Sequence, residues 1–135
     1  MSPRQEHKIA MVIGSGGLRC ASAFGVLQVL QREGIAIDLV VACSGGALGG
    51  YWIASGRDDP ARGIAEFVDG WMGAFDRLAY GRILGAVFPR LFGFSAKFGV
   101  MKDSAINEAL SAYVHDARFE DMDTPLHFVA TDVRN

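Results

Sequence analysis

A chain of 135 residues, 50% hydrophobic with a mean hydropathy of +0.22, has room for one well-buried domain and is too apolar to be disordered. A formal net charge of -2 and a pI near 5.9 leave no basic stripe, which excludes nucleic acid as a partner. Leu39 to Gly56 is an uncharged run of membrane-spanning length, but its glycines and strand-like start argue against a span.

The N-terminus carries Arg4, Glu6 and Lys8 and then only Ile9 to Ile13 as an apolar core. That is too short for a signal peptide, so the expected compartment is cytoplasmic. Lys8 to Ile13 reads as a buried strand that breaks at Gly14-Ser15-Gly16-Gly17, before a helix from about Leu18 to Glu33. Ala21, Ala23, Phe24, Val26, Leu27, Val29 and Leu30 wrap most of that helix, which predicts cover on most sides, and Gly34 is a natural stop.

Leu39-Val40-Val41 is a second strand, running into Ala42-Cys43-Ser44-Gly45-Gly46. A serine on a strand-to-helix corner is lifted above the carboxyl edge of a sheet, in backbone geometry that needs small residues two before and two after. Gly46 meets that need, and Ala42 does so with one extra methyl. The next helix aims its N-terminal N–H groups at Ser44, so the Gly45 N–H is placed to stabilise an oxyanion formed there. The same residues also suit a plain Gly/Ser turn in an α/β protein.

A right-handed β-α-β crossover puts the first glycine loop and Ser44 at one sheet edge. There the N–H groups around Gly16 and Gly17 form a nest for negative charge, with Arg19 as a nearby cation. The rival reading is a dinucleotide loop, but the third glycine position is Arg19, and Asp38 begins the second strand instead of ending it. Cys20 and Cys43 match no metal spacing and read as free thiols near the same sheet edge.

Asp59-Pro60 predicts an N-cap and first helical residue, with Ile64, Phe67, Val68, Trp71, Met72 and Phe75 as the apolar stripe. From Asp76 to Val100, aromatics including Phe88 and Phe98 alternate with glycines and with Arg77, Arg82, Arg90 and Lys97. This segment reads either as a lid or lipid-contacting surface or as ordinary core under a long connection. Asp103-Ser104 caps a further helix with Ile106, Ala109, Leu110 and Tyr113 on one side. Leu126 to Thr131 reads as a third strand with Asp132 at its end. His7, His115 and His127 sit in surface-like or alternating positions that suit structural roles.

SGGLRCASAFGVLQVLQREGI resembles the GGGxRG loop and helix of patatin-like phospholipases, and ACSGGALGG resembles their GxSxG elbow. KFGVMKDSAINEALSAYV and PLHFVATDVRN resemble the family's mid-domain helix and its strand ending in Thr-Asp, so the likeness covers nearly the whole chain in order. It implies a three-layer α/β fold with a mainly parallel sheet, incomplete at the C-terminus, residues 1–135 being the N-terminal part of one catalytic domain. It implies a lipid or acyl-ester substrate, peripheral membrane contact and no metal or other cofactor. Ser44 matches the nucleophile, Gly16 and Gly17 the oxyanion loop, and Arg19 its basic position.

Ser15, Ala42 and Cys20 depart from the motifs, each adding bulk where the family has glycine. The resemblance also implies a Ser-Asp dyad, yet no Asp-Gly-Gly or Asp-Gly-Ala occurs, and Asp69-Gly70-Trp71 falls inside a helical stretch. The base is therefore expected beyond Asn135, with Asp132 as a weaker alternative. An inactive acyl-chain binder and a nucleotide-binding module are the other function classes kept in view.

Overall fold

The computed structural model of the protein describes residues 8–75 and 103–132. The chain divides into two compact units, Met1–Val68 with Ala117–Asn135, and Asp69–Asp116. The aromatic, basic segment and its lid reading lie outside the described residues, as does His7.

The first unit is built on three parallel strands in the order β1 (Ala10–Ile13), β2 (Leu39–Ala42) and β3 (Leu126–Phe128). Ala10 pairs with Leu39 and Val40 with Leu126, so each strand is reached by a crossover from the one before. The alternation of strand side chains places Met11, Ile13, Val40, Ala42 and Leu126 on one buried face. The opposite face is open at Val12, 73% exposed, and at His127, while Leu39 and Val41 are half-buried. Within the first unit, α2 (Gly45–Ala54) contacts all three strands of this open, parallel sheet, consistent with an α/β patatin-like fold.

Helix α1 (Ser22–Arg32) follows a 3-10 segment, Gly17–Ala21, which replaces the expected first helical turn. Gly34 ends it at φ +66, with the Ile35 N–H donated to the Leu30 carbonyl and the Gly34 N–H to that of Gln31. This is the paired bond pattern that only a left-handed residue after the helix permits. The expected cover on most sides is not found. Ala23, Phe24 and Leu27 are buried, but Val26 is 51% and Val29 47% exposed.

Helix α2 (Gly45–Ala54) lies on the buried sheet face, with eight of its ten residues buried. Glycines set the approach: a Cβ on Gly50 would lie 2.8 Å from the Ala42 Cβ and 3.3 Å from Val40 Cγ1. Its far end holds Trp52, 0% exposed, packed edge-on to Phe24 at 5.3 Å, and Phe24 in turn meets Phe67 at 5.9 Å. Burial of such rings contributes about 1.5–3 kcal/mol each.

Helix α3 (Pro60–Phe75) begins as the sequence predicts, Asp59 Oδ1 accepting the N–H groups of Ala61 and Arg62 at 3.1 and 3.2 Å. Its buried seam differs. Ile64 and Met72 are exposed, because Gly63 is the residue set against Phe24 and Trp52, where a Cβ would lie 2.5 Å from Phe24 Cε1. The helix is therefore turned so that Gly63 and Phe67 face inward, with Glu66 half-buried beside them. In the second unit, Gly70 lies against the Tyr113 ring of α4 (Asp103–Val114), and α4 half-buries Ile106, Ala109 and Tyr113 while Leu110 is exposed. The third strand ends at Phe128, not Thr131, so Asp132 lies four residues past it, exposed.

Candidate active site

Ser44 occupies the corner between β2 and α2 with φ 54 and ψ -129, a conformation L side chains rarely adopt. Such a conformation costs about 1–3 kcal/mol and persists only where the surroundings enforce it. Three backbone bonds do so: Cys43 N–H to the Ile13 carbonyl at 3.1 Å, Gly46 N–H to that of Cys43 at 3.0 Å, and Ala47 N–H to that of Ser44 at 2.8 Å. Ser44 is exposed and makes no side-chain capping bond to α2. It stands at the positive end of that helix.

The two glycine motifs, separate in sequence, pack against each other. A Cβ on Gly45 would lie 2.9 Å from Gly17 Cα and 3.0 Å from the Gly17 nitrogen and oxygen. On Gly46 it would lie 2.6 Å from the Ile13 oxygen and 2.7 Å from the Gly14 oxygen. Both glycines are required because what faces them is backbone, which cannot move aside. Gly17 itself turns through φ +57, and the Arg19 N–H is donated to the Gly16 carbonyl at 3.1 Å, which starts the 3-10 segment. Gly16 and the Arg19 side chain are exposed.

Each departure from the family motifs is accommodated. Ser15 is exposed. The Ala42 methyl fits because Gly50 above it has none. Cys20 is buried, and its thiol donates to the Gly14 carbonyl at 3.3 Å. Burial pushes that thiol's pKa up, opposed in part by a hydrogen bond with Cys20's own backbone, so it is held as S–H. The sequence offered no sign of this bond beyond a cysteine six residues after the glycine that follows β1.

Both cysteines are free thiols, Cys20 buried and Cys43 half-buried. Asp38 is engaged at the opposite end of the sheet, its Oδ2 accepting the Ile9 N–H at 2.7 Å, away from where a ribose would lie in a dinucleotide site. Of the described histidines, His115, at φ 53, follows the end of α4, and exposed His127 lies within β3. Asp132 is likewise exposed. Among the described residues no group of three or more His, Cys, Asp or Glu could hold a metal ion, and no helix is long and apolar enough to cross a membrane. A groove of about 580 Å³ is lined by β1, by Gly14 to Gly16 and by Ala23, Val26 and Leu30 of α1.

Comparison with known proteins sets this geometry among others. The family model described as patatin-like phospholipase matches residues 11–134. Patatin-like phospholipase domain-containing protein 6 of Mus musculus is 29% identical over 127 residues, covering 94% of this chain and 9% of its own length, and the Homo sapiens protein is 29% identical with 8% of its length covered. Neuropathy target esterase sws of Drosophila persimilis is 27% identical over 132 residues, covering 94% of this chain and 8% of its own length. The chain thus spans less than a tenth of the length of these relatives. No solved structure matches it.

Proposed function

The chain belongs to the patatin-like phospholipase family, and from that premise we propose that it supplies the nucleophile and the oxyanion site of a serine lipid acyl hydrolase. The observation that carries the reading is the left-handed backbone of Ser44 with the Gly45 turn pressed on Gly17. A strained, exposed serine at the head of a helix, with a second glycine loop seated against it, has no structural purpose that an ordinary turn would not serve at lower cost.

In the proposed reaction Ser44 Oγ attacks the carbonyl carbon of an acyl ester and loses its proton to an aspartate that lies beyond this sequence. The charge on the former carbonyl oxygen is held by the N–H groups of Gly16, Gly17 and Gly45 and by the positive end of α2, while Arg19 supports the loop with its charge. Collapse of the tetrahedral intermediate releases the alcohol, which takes the proton from the aspartate. Water, deprotonated by the same group, then attacks the acyl-serine and releases the fatty acid. The chemistry needs no metal or organic cofactor. The substrate class is an acyl ester of a lipid, met at a membrane surface.

Replacing Ser44 by Ala in the longer protein should lower ester hydrolysis by several orders of magnitude and leave far-ultraviolet circular dichroism unchanged. Turnover retained in that variant would remove Ser44 from the mechanism. An acyl-chain binder without catalysis is the competing case: it would bind lipid while Ser44 stayed unlabelled by a fluorophosphonate in the full-length protein.

A further inference from the structure

We infer that Cys20 is a positioning residue for the oxyanion loop, its thiol fixing the Gly14–Ser15 peptide and through it the direction of the loop amides. The inference rests on the acyl-hydrolase reading of the site for its catalytic consequence, but its structural part stands on the geometry alone.

Cys20 lies in the 3-10 segment with 6% exposure, while Gly14, Ser15 and Gly16 before it are exposed. Its thiol donates to the Gly14 carbonyl at 3.3 Å. The same sulfur lies 3.4 Å from where a Cβ on Gly16 would stand, so it occupies the space beside Gly16 as well as bonding Gly14. The Gly14 oxygen also faces α2, where Gly46 comes close enough to exclude a methyl group.

A peptide unit is planar and trans, so the N–H of one residue points opposite to the carbonyl of the residue before. Drawing the Gly14 carbonyl toward the buried thiol therefore turns the Ser15 N–H outward, to the exposed side of the loop. Without that bond the Gly14–Ser15 unit could rotate about its flanking single bonds, and the nest formed with Gly16 and Gly17 would lose its common direction. The raised thiol pKa agrees with this role, since only S–H can donate.

The contact is neutral and weak, and a net hydrogen bond of that kind corresponds to about a two- to tenfold change. In the longer protein, Cys20→Ala should slow fluorophosphonate labelling of Ser44 and lower kcat by that factor, with KM unchanged, because the loop acts on the transition state. Cys20→Ser, which keeps a donor, should restore most of the rate. Amide exchange at Ser15 to Gly17 should quicken in Cys20→Ala and recover in Cys20→Ser. Equal labelling and equal exchange in wild type and Cys20→Ala would overturn the inference, as would a loss that Cys20→Ser does not recover. If wild type shows no labelling, the hydrolase reading falls while the exchange comparison still decides whether Cys20 orders the loop. If Cys20→Ala does not fold, the infrared S–H stretch of wild type, identified by its loss in Cys20→Ser, decides: a red-shifted band supports the bond and a free-thiol band refutes it.

Discussion

The two ends of α2 are fixed by opposite means. At its N-terminal end, Gly45 and Gly46 let backbone press on backbone, and position is set by what side chains leave out. At its C-terminal end, Trp52 is wedged between Phe24 and the start of α3, and its indole N–H is donated to Glu66 Oε2 at 3.0 Å. The same carboxylate accepts from Arg57 at 2.8 Å and Arg62 at 2.6 Å. A helix anchored by large side chains at one end can hold a strained residue at the other. The stability is made away from the proposed nucleophile, and that serine sits where a single methyl cannot be admitted.

The largest expected effect tests the anchoring end. Trp52→Ala should destabilise the protein by about 3–5 kcal/mol in denaturant unfolding, because a fully buried ring leaves a cavity and Glu66 loses a donor. If the contrast holds, whatever stays folded should still label at Ser44. Gly46→Ala should do the reverse. Its Cβ meets two carbonyl oxygens, costing about 1–3 kcal/mol, but displacement of the corner should reduce labelling on the order of 100-fold. Equal losses of stability and labelling in both variants would break the comparison.

Ser44→Gly sharpens it further. A glycine accepts φ 54 without penalty, so the thermal midpoint should rise by the equivalent of about 1 kcal/mol while labelling is lost. The smallest effect concerns Glu66, whose carboxyl is held below its usual range by the Arg62 hydrogen bond, with Trp52 and Arg57 adding to it against partial burial. A lowered folded-state pKa contributes stability that is present above the unfolded value, about 4.3, and lost as pH falls through the folded one. Thermal midpoints measured from about pH 5 downward should therefore fall less steeply in Glu66→Gln than in wild type.

What could be read from the sequence was local. The Ser44 corner, the Gly34 stop and the Asp59 cap all depend on backbone conformations that a few adjacent residues dictate. The facing of α3 could not be read the same way. Its apolar spacing fits a stripe through Ile64 as well as one through Phe67, and the choice is made by Gly63, which gains its value only when Phe24 and Trp52 are brought against it. The expected burial of Val26 and Val29 failed for a related reason: an apolar residue states a preference, and whether it is met depends on a partner that no local spacing supplies. At the site, the sequence identified both glycine motifs, but neither their direct contact nor the Cys20 bond, since each joins atoms that no spacing rule connects.

The central strand also has a history in time. One edge of β2 pairs with β1, made shortly before it, and the other with Leu126 to Phe128, made only after α2, α3 and α4. During synthesis, the serine corner and its glycine loop can come together while that second edge still waits for its strand. Its unpaired carbonyls and amides stay open to any extended chain nearby until β3 arrives, so a nascent polypeptide can hold its serine turn formed before its sheet is sealed.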